Sequence, residues 1–283
     1  MPLYRLEDPG DLAAPVLIAA FDGWIDAGSA ATTALERLAE GARAIATFDA
    51  DSIYDYRARR PTLDVLDGTL VDLEWPELEL RSTRVDGRDL LILTGPEPDY
   101  RWRELADDVV RLATRLEIAS WISLGAIPAA VAHTRPVPVL GTASGPGLLH
   151  AGIVQGPAGR LRVPSAALSV LEMAIARAGM PAVGLYAQVP HYVSGDYAAA
   201  AIALLEHLGR HLELELPTGA LPSEARKQRM LLDTATASDE RTKAYVEQLE
   251  AMADEARLPE GDELIDEIER FLRERGSEGR ASS

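Results

Sequence analysis

The feature that most constrains the fold is a short apolar run near the N-terminus, residues 16–21 (VLIAAF). A strand that is apolar at every position is typical of a parallel sheet whose two faces are both covered. Residues 31–40 are rich in Ala and Leu and predict a helix, and Gly41 follows where a left-handed backbone is least costly. Residues 42–48 predict the next strand. This β-α-β unit indicates an α/β protein.

Further strands and helices are predicted as far as residue 211. Asp86 and Gly87 form a two-residue turn signal between residues 77–85 and 88–94, which predicts a type I′ hairpin inside the wound sheet. The remaining predicted elements are a helix at 102–116, a strand at 118–124 closed by Gly125, a strand at 139–143, a helix capped by Ser165 and ending at Gly179, a strand at 182–189, and a helix at 197–211.

The C-terminal part of the chain has a different pattern. Residues 216–222 (LPTGALP) interrupt the alternation with Pro and Gly and predict a linker. We therefore expect a main domain at residues 1–216, a C-terminal helical region at 223–276 and a disordered tail at 277–283. Two apolar stripes predict a helical hairpin in the second part. They comprise Tyr245, Leu249, Met252 and Ala256 in one helix and Leu264, Ile268, Phe271 and Leu272 in the other.

The charge and cysteine content restrict the partners and the compartment. Forty-five acidic against 28 basic residues give a net charge of −17, which repels nucleic acids and anionic membrane surfaces. The absence of cysteine excludes disulfides and thiolate metal sites and fits a reducing compartment. Residues 1–15 lack a basic region and a long apolar run, so we expect an untargeted, soluble, cytoplasmic protein.

Four segments at predicted strand ends are candidates for a binding site, because ligands of wound α/β sheets bind outside the carboxyl ends of the strands. They are residues 21–29 (FDGWIDAGS), 94–102 (TGPEPDYRW), 125–128 (GAIP) and 190–195 (PHYVSG). Their motifs GWIDAG, TGPEP, SLGAIP and VPHY occur in that order. Through them the chain resembles the proteasome assembly chaperone 2 family, in the bacterial branch that adds C-terminal helices to the α/β domain.

The resemblance implies a fold and a mode of action. The implied fold is a three-layer α/β/α sandwich, similar to phosphorylase and hydrolase-like folds, with a C-terminal helical appendage. The family assembles into homo-oligomers such as trimers and has no established enzymatic activity. Its eukaryotic members help to assemble proteasome rings, which makes proteasome subunits candidate partners. Some relatives have been labelled ATP-grasp ligases, but we find no convincing Lys and Glu nucleotide pocket in this sequence.

The strand-end segments supply nine candidate binding residues. They are Asp22, Gly23, Trp24, Asp26, Gly28, Glu97, Pro98, His191 and Tyr192. Asp22 and Asp26 could act in acid/base catalysis or bind a cation. Asp is also common in turns and at helix N-termini, and we favour the interpretation that these residues cap a helix. Trp24 is either a core anchor or a contact residue. His191 and Tyr192 could move a proton, and turn hydrogen bonds explain them equally.

Other patterns give weaker signals. His207 and His211 have metal-ligand spacing on a predicted helix, but no third ligand is apparent nearby, and the helix dipole already favours His there. Gly141, Gly145 and Gly147 match no phosphate-binding motif, so we interpret them as a flexible loop. We therefore expect neither a metal nor a cofactor.

Two functions of different classes follow from these patterns. The first is a non-catalytic, self-associating assembly factor that binds proteins through the strand-end segments, the C-terminal helices or both. The alternative is a small-molecule hydrolase, phosphorylase or ATP-dependent ligase that uses Asp26, Glu97 and His191 as base and charge stabiliser. A convergent, partly buried cluster of these three side chains would favour the enzyme. Dispersed side chains would favour binding.

Overall fold

The computed structural model describes residues 2–150, 152–157 and 159–255. The strands in these residues are β1 (Tyr4–Leu6), β2 (Val16–Asp22), β3 (Arg43–Phe48), β4 (Thr62–Leu66), β5 (Thr69–Glu74), β6 (Glu79–Val85), β7 (Arg88–Pro96), β8 (Ser120–Ala129), β9 (Val139–Ala143), β10 (Val154–Gln155) and β11 (Ala182–Pro190). The helices are α1 (Ala30–Leu38), α2 (Ala50–Ile53), α3 (Trp102–Arg115), α4 (Ala167–Arg177), α5 (Ala198–Leu212), α6 (Leu221–Ala237) and α7 (Glu240–Glu255).

The apolar run at residues 16–21 forms the centre of a nine-stranded sheet. The strand order is β1-β3-β6-β7-β2-β8-β11-β9-β10. β2 is parallel to both of its neighbours, with Val16 opposite Leu90 in β7 and Ser120 in β8. All six residues of the run are buried. The prediction of a parallel strand covered on both faces is confirmed.

Helices cover both faces of this sheet. Val16, Ile18 and Ala20 point to one face and pack in a single core with α1 and α5. Leu17, Ala19 and Phe21 point to the other face and pack with α3 and α4. Alternate side chains of one strand therefore fill two separate cores, as the period of two in a strand requires. The predicted three-layer α/β/α sandwich is confirmed.

Local turn chemistry was predicted correctly at one hairpin. Asp86 and Gly87 both have positive φ, 47° and 82°, and Val85 pairs with Arg88. These are the signs of the type I′ turn. The sheet itself departs from a simple β-α-β arrangement. Two strands separate β3 from β2 in the sheet, because the hairpin β6-β7 is inserted between them.

Two predicted boundaries are wrong. β8 does not end at Gly125 but continues to Ala129 in register with β11. Glycine is needed there for close packing, since a Cβ at Gly125 would lie 2.6 Å from the Tyr186 ring. Ser165 does not cap α4. Its hydroxyl donates to the carbonyl of Ala166, and the helix begins at residue 167 without a local side-chain cap.

The C-terminal region contains one helix that the apolar stripes did not predict, α6. In the helix α7, Val246 and Leu249 are buried against Ala132, whereas Tyr245 and Met252 of the predicted stripe are exposed. The other predicted helix of the hairpin, its residues Leu264 to Leu272, and also Ala256 and the tail 277–283, lie outside the described residues. No helix in the described part of the chain is both long and apolar enough to cross a bilayer.

Candidate functional site

The four predicted segments follow or belong to four neighbouring strands. β7, β2, β8 and β11 are adjacent in the sheet and parallel to one another, so their carboxyl ends meet at one edge. Residues 23–29 follow β2, whose last residue is Asp22, and residues 97–102 follow β7. The GAIP motif lies within the last part of β8, and residues 191–195 follow β11. The strand-end rule therefore assembles these segments on one side of the molecule.

The carboxylate of Glu97 joins three segments at this edge. Glu97 is 9% exposed. Its Oε2 accepts a hydrogen bond from the Trp24 backbone N–H at 3.2 Å, and its Oε1 accepts one from the Ala167 N–H at 2.7 Å. Its own N–H donates to the Asp22 carbonyl at 2.8 Å. A Cβ on Gly23 would lie 2.7 Å from the Glu97 Cβ, so only glycine allows this approach.

Asp26 holds the beginning of α1. Its Oδ1 accepts the Ala31 N–H at 2.7 Å, and its Oδ2 accepts the Thr32 hydroxyl and, at 3.4 Å, the Thr32 N–H. Two free N–H groups of the first helical turn are thereby satisfied. Burial raises the pKa of Asp26 above its usual value, although these hydrogen bonds act in the opposite direction. The capping interpretation of Asp26 agrees with this geometry.

Gly28 closes the same loop against α5. Its φ is +65°, and a Cβ there would lie 2.8 Å from the Cβ of Tyr197. The Gly28 carbonyl accepts the Tyr197 N–H at 2.8 Å. The loop between β2 and α1 is therefore fixed at three points, by Glu97, by Asp26 and by Gly28.

The side chain of Trp24 is not a core anchor. It is 66% exposed, although its backbone N–H is held by Glu97. Asp22 is also exposed, beside a shallow pocket of about 430 Å³ that Arg59 and Trp75 help to line. A rigid loop that presents a solvent-exposed indole has the composition of a protein contact, since Trp is enriched among the residues that dominate binding energies.

Pro98, His191 and Tyr192 have other partners. Pro98 is buried, and its carbonyl accepts the Trp102 indole N–H at 2.6 Å, which positions α3. The Tyr192 hydroxyl accepts the His133 N–H at 2.8 Å. His191 is exposed, with its Nε2 3.5 Å from the Tyr245 hydroxyl.

A polar network that the sequence did not reveal fastens the C-terminal helices to this end of the sheet. The buried ring of His133 lies between the Tyr192 hydroxyl, 2.8 Å from Nδ1, and Asp233 of α6, 3.2 Å from Nε2. Arg135 forms salt bridges with Glu250 and Asp254 of α7. Burial lowers the pKa of His133, so its neutral form is favoured. The pairs with α6 and α7 are 100 to 119 positions apart, and no local pattern identifies them.

The three side chains of the catalytic alternative bind different partners. Asp26 bonds to α1, Glu97 to Trp24 and Ala167, and His191 to Ala129. No hydrogen bond between described residues joins any two of the three. The described residues also contain no group of three or more His, Asp or Glu side chains arranged to hold a metal ion. His211 instead packs edge-on against the ring of His150.

The profile of the PAC2 family matches residues 20–236, which is most of the chain and includes all four strand-end motifs. The chain belongs to the PAC2 family. Among curated proteins, none matches it significantly.

Solved structures of similar proteins agree with this assignment. A protein of unknown function from Corynebacterium glutamicum is 32% identical, with a TM-score of 0.83 over 89% of this chain and 97% of its own. A Mycobacterium tuberculosis proteasome-assembly chaperone homologue is 36% identical, with a TM-score of 0.74 over 82% of this chain and 99% of its own. An archaeal proteasome activator from Pyrococcus furiosus, 18% identical, shares the fold, with a TM-score of 0.65 over 82% of this chain and 97% of its own.

Proposed function

We propose that this PAC2 chain is a non-catalytic, self-associating assembly factor that binds other proteins through its strand-end surface, defined as Asp22, Gly23, Trp24 and the loop around Glu97. The observation that carries the proposal is the exposed indole of Trp24 on a loop whose backbone is fixed. Proteasome subunits are the first candidate partners, because the Mycobacterium tuberculosis relative is described as a proteasome-assembly chaperone homologue.

The fixed loop supports a binding role on energetic grounds. Ordering a flexible loop on binding costs free energy, and a loop that is already ordered avoids that cost. Glu97, Asp26 and Gly28 order this loop in the single chain. An exposed Trp loses a large apolar area from water when a partner covers it, with little conformational entropy to lose. The loop therefore presents a preorganised aromatic contact.

The catalytic alternative gains no comparable support. Asp26 and Glu97 accept hydrogen bonds from backbone N–H groups of helices and loops, and Asp26 also accepts the Thr32 hydroxyl, which is how carboxylates stabilise local structure. His191 contacts the Ala129 carbonyl and Tyr245 of α7, and no hydrogen bond among the described residues joins it to either carboxylate. Because the three side chains bind separate partners, the arrangement favours binding.

A pull-down experiment tests the proposal. Full-length wild-type chain and the Trp24→Ala variant are used as baits in extract of the source cells, and the eluates are compared by quantitative mass spectrometry. We expect a proteasome core subunit among the proteins enriched by the wild type, and at least a tenfold lower recovery with Trp24→Ala. Met173→Ala, which removes another exposed side chain on α4, is the matched control.

Equal recovery by Trp24→Ala and the wild type would remove the strand-end surface from the proposal. If the wild-type eluate contains no enriched protein except the bait, the partner-binding function is wrong. Light scattering on the same wild-type preparation measures self-association independently. A mass equal to one 30.5 kDa chain at micromolar concentration would remove that part of the proposal.

A further inference from the structure

The hairpin β4-β5 lies outside the nine-stranded sheet and forms a two-stranded sheet of its own. All residues from 62 to 75 are exposed. An isolated two-stranded sheet is marginally stable in water and needs a further surface to pack against. The exposure of a complete hairpin therefore indicates that some other surface covers it.

The hairpin has one apolar face and one acidic face. Leu63 pairs with Leu73 and Val65 with Leu70, so these four aliphatic side chains lie on the same side of the ribbon, and Val71 lies at the register shift beside them. Their exposed fractions run from 42% to 68%. On the other side Thr62 pairs with Glu74, Asp64 with Asp72, and Leu66 with Thr69, so this face is acidic apart from Leu66 near the turn. Alternation of this kind is typical of a strand with one buried face.

One end of the hairpin packs against the rest of the chain, whereas its strands are exposed. Trp75 packs edge-on against Tyr56, with the ring centroids 4.7 Å apart. Residues 62–75 include four acids, Asp64, Asp67, Asp72 and Glu74, and no basic residue. We call residues 62–75 the arm. It combines an apolar surface with a negative charge, and a surface that covers it should be apolar and basic.

A groove with these two properties lies between α5 and α6, with a volume of about 1010 Å³. Its apolar lining includes Val137, Tyr197, Ile202, Ala203 and Met230, and its basic lining comprises Arg135, Arg210, Arg226, Lys227 and Arg229. Glu206 is the one acidic side chain among its lining residues in the described part of the chain. The groove therefore brings five basic side chains together on a chain of net charge −17.

Two of these basic side chains are available for a partner. Arg226 and Lys227 are exposed and form no salt bridge with any residue that the structure describes. Arg229 and Arg135 already bind acids of α6 and α7. The aliphatic parts of Lys and Arg side chains can lie along the apolar surface of a groove while their charged groups stay in water at its rim. They can therefore meet the acidic face of a ribbon whose apolar face lies on the floor.

We propose that the arm of one chain docks in the α5–α6 groove of a second copy of this chain. Five of the six aliphatic side chains of the arm, all except Leu66, lie on the apolar floor, and its acids face Arg226 and Lys227. Because the arm and the groove are different surfaces of the same molecule, the contact is head-to-tail, and it produces a closed ring when the rotation between copies closes. This inference rests on the self-association in the proposed function and specifies the residues that cause it.

The test is the mass of the full-length protein in solution, measured by light scattering at micromolar concentration. We expect a multiple of 30.5 kDa for the wild type and a single chain for two variants. One is the arm variant Leu70→Ser/Leu73→Ser, and the other is the groove variant Arg226→Glu/Lys227→Glu. Both change exposed residues only, so the far-UV spectrum and the melting of the single chain should be preserved. The control Met173→Ser, on α4 at the opposite face of the sheet, should keep the wild-type mass.

Mixing the two variants gives the sharper result. The arm variant retains an intact groove and the groove variant retains an intact arm, so each mixed pair has one working contact. We expect a 1:1 complex of two chains in the mixture and none in either variant alone. A self-complementary contact, in which the same patch meets itself, would not recover in this way.

Several outcomes would overturn the proposal. If the arm variant or the groove variant keeps the wild-type mass, self-association uses another surface. This result would not bear on partner binding through Trp24, which the pull-down tests separately. A wild-type chain of single mass would remove the second copy as the occupant. A third outcome concerns the melting temperature of a single chain. Leu70→Ser/Leu73→Ser could lower it in the full-length protein and leave it unchanged in a chain that ends at residue 255. That pair of results would assign residues 256–283 of the same molecule as the surface that covers the arm.

Discussion

The Oε1 of Glu97 accepts a hydrogen bond from the backbone N–H of Ala167 at 2.7 Å, although the two residues are 70 positions apart in the chain. The loop after β7 thereby caps the N-terminus of α4, a helix that has no cap of its own. The same carboxylate holds the Trp24 N–H through its other oxygen. One side chain thus connects the sheet edge, the helix α4 and the loop that presents Trp24.

Replacement of Glu97 should be costly. Glu97→Ala leaves the buried Ala167 N–H without an acceptor, so we expect the free energy of unfolding to fall by about 2–3 kcal/mol. Urea denaturation measures the change. Glu104→Ala is the control, because Glu104 is an exposed residue of α3 that pairs with Arg101, and exposed ion pairs contribute little to stability. Equal stability of the two variants would mean that Glu97 does not hold these segments together.

Trp24 and Trp121 should respond in opposite ways to the same change. Trp121 is fully buried, and its indole N–H donates to Ser123 Oγ at 2.8 Å. We expect Trp121→Ala to lower the free energy of unfolding by about 3–5 kcal/mol, as large aromatic deletions in cores do. Trp24→Ala should change it by less than about 0.5 kcal/mol, as surface substitutions do. Thermal melting of both variants tests the pair, and a severe loss in Trp24→Ala would contradict the exposed position of its side chain.

The partly buried carboxyl of Glu172 should make stability dependent on pH. Burial raises the pKa of Glu172, while long hydrogen bonds of 3.4 Å from Thr142 and Tyr186 offset this only in part. The folded state then keeps its proton to a higher pH than the unfolded state, so stability is lost as pH rises from the usual pKa of Glu, about 4.3, through the raised value.

Glu172→Gln removes this titration. We expect the variant to be more stable than the wild type near neutral pH, and the difference to disappear below about pH 4. Melting temperatures from pH 4 to pH 8 measure it, with the exposed Glu36→Gln as the control. A difference that grows toward low pH would have the wrong sign and would show that the charged form of Glu172 is the stabilised one.

The predicted boundary at residue 216 can be tested by truncation. Both cores of the sandwich are built almost entirely from residues before it, so we expect a chain ending at Leu216 to fold and to melt cooperatively. Its melting temperature should be lower, because the fully buried Leu221 and the bond between His133 and Asp233 are lost. Circular dichroism and calorimetry give the answer. An insoluble or non-cooperative product would mean that the C-terminal helices are part of the same folding unit.

Several features of the fold could be predicted from short stretches of sequence because their causes are local. Residues 16–21 are apolar at every position, and Asp86-Gly87 accepts positive φ at two successive residues. The adjacency of the four strand-end segments followed from one general rule, since parallel strands expose their carboxyl ends at a common edge. The arm was readable too, from the alternation in TLDVL and TLVDLE around Asp67-Gly68, but we did not predict it.

The partners of the candidate residues were decided by tertiary structure. Gly125 resembles a strand end in sequence, but it lies inside β8. Glycine is required there, since the Tyr186 ring fills the space of a side chain. Ser165 precedes α4 as a cap would, but a buried carboxylate from another loop reaches the helix instead. His191 and Tyr192 adjoin the sheet edge in sequence but contact Tyr245 and His133. Local sequence specifies the backbone preference of each segment, whereas these contacts depend on which distant segments the packing of two cores brings within hydrogen-bonding distance.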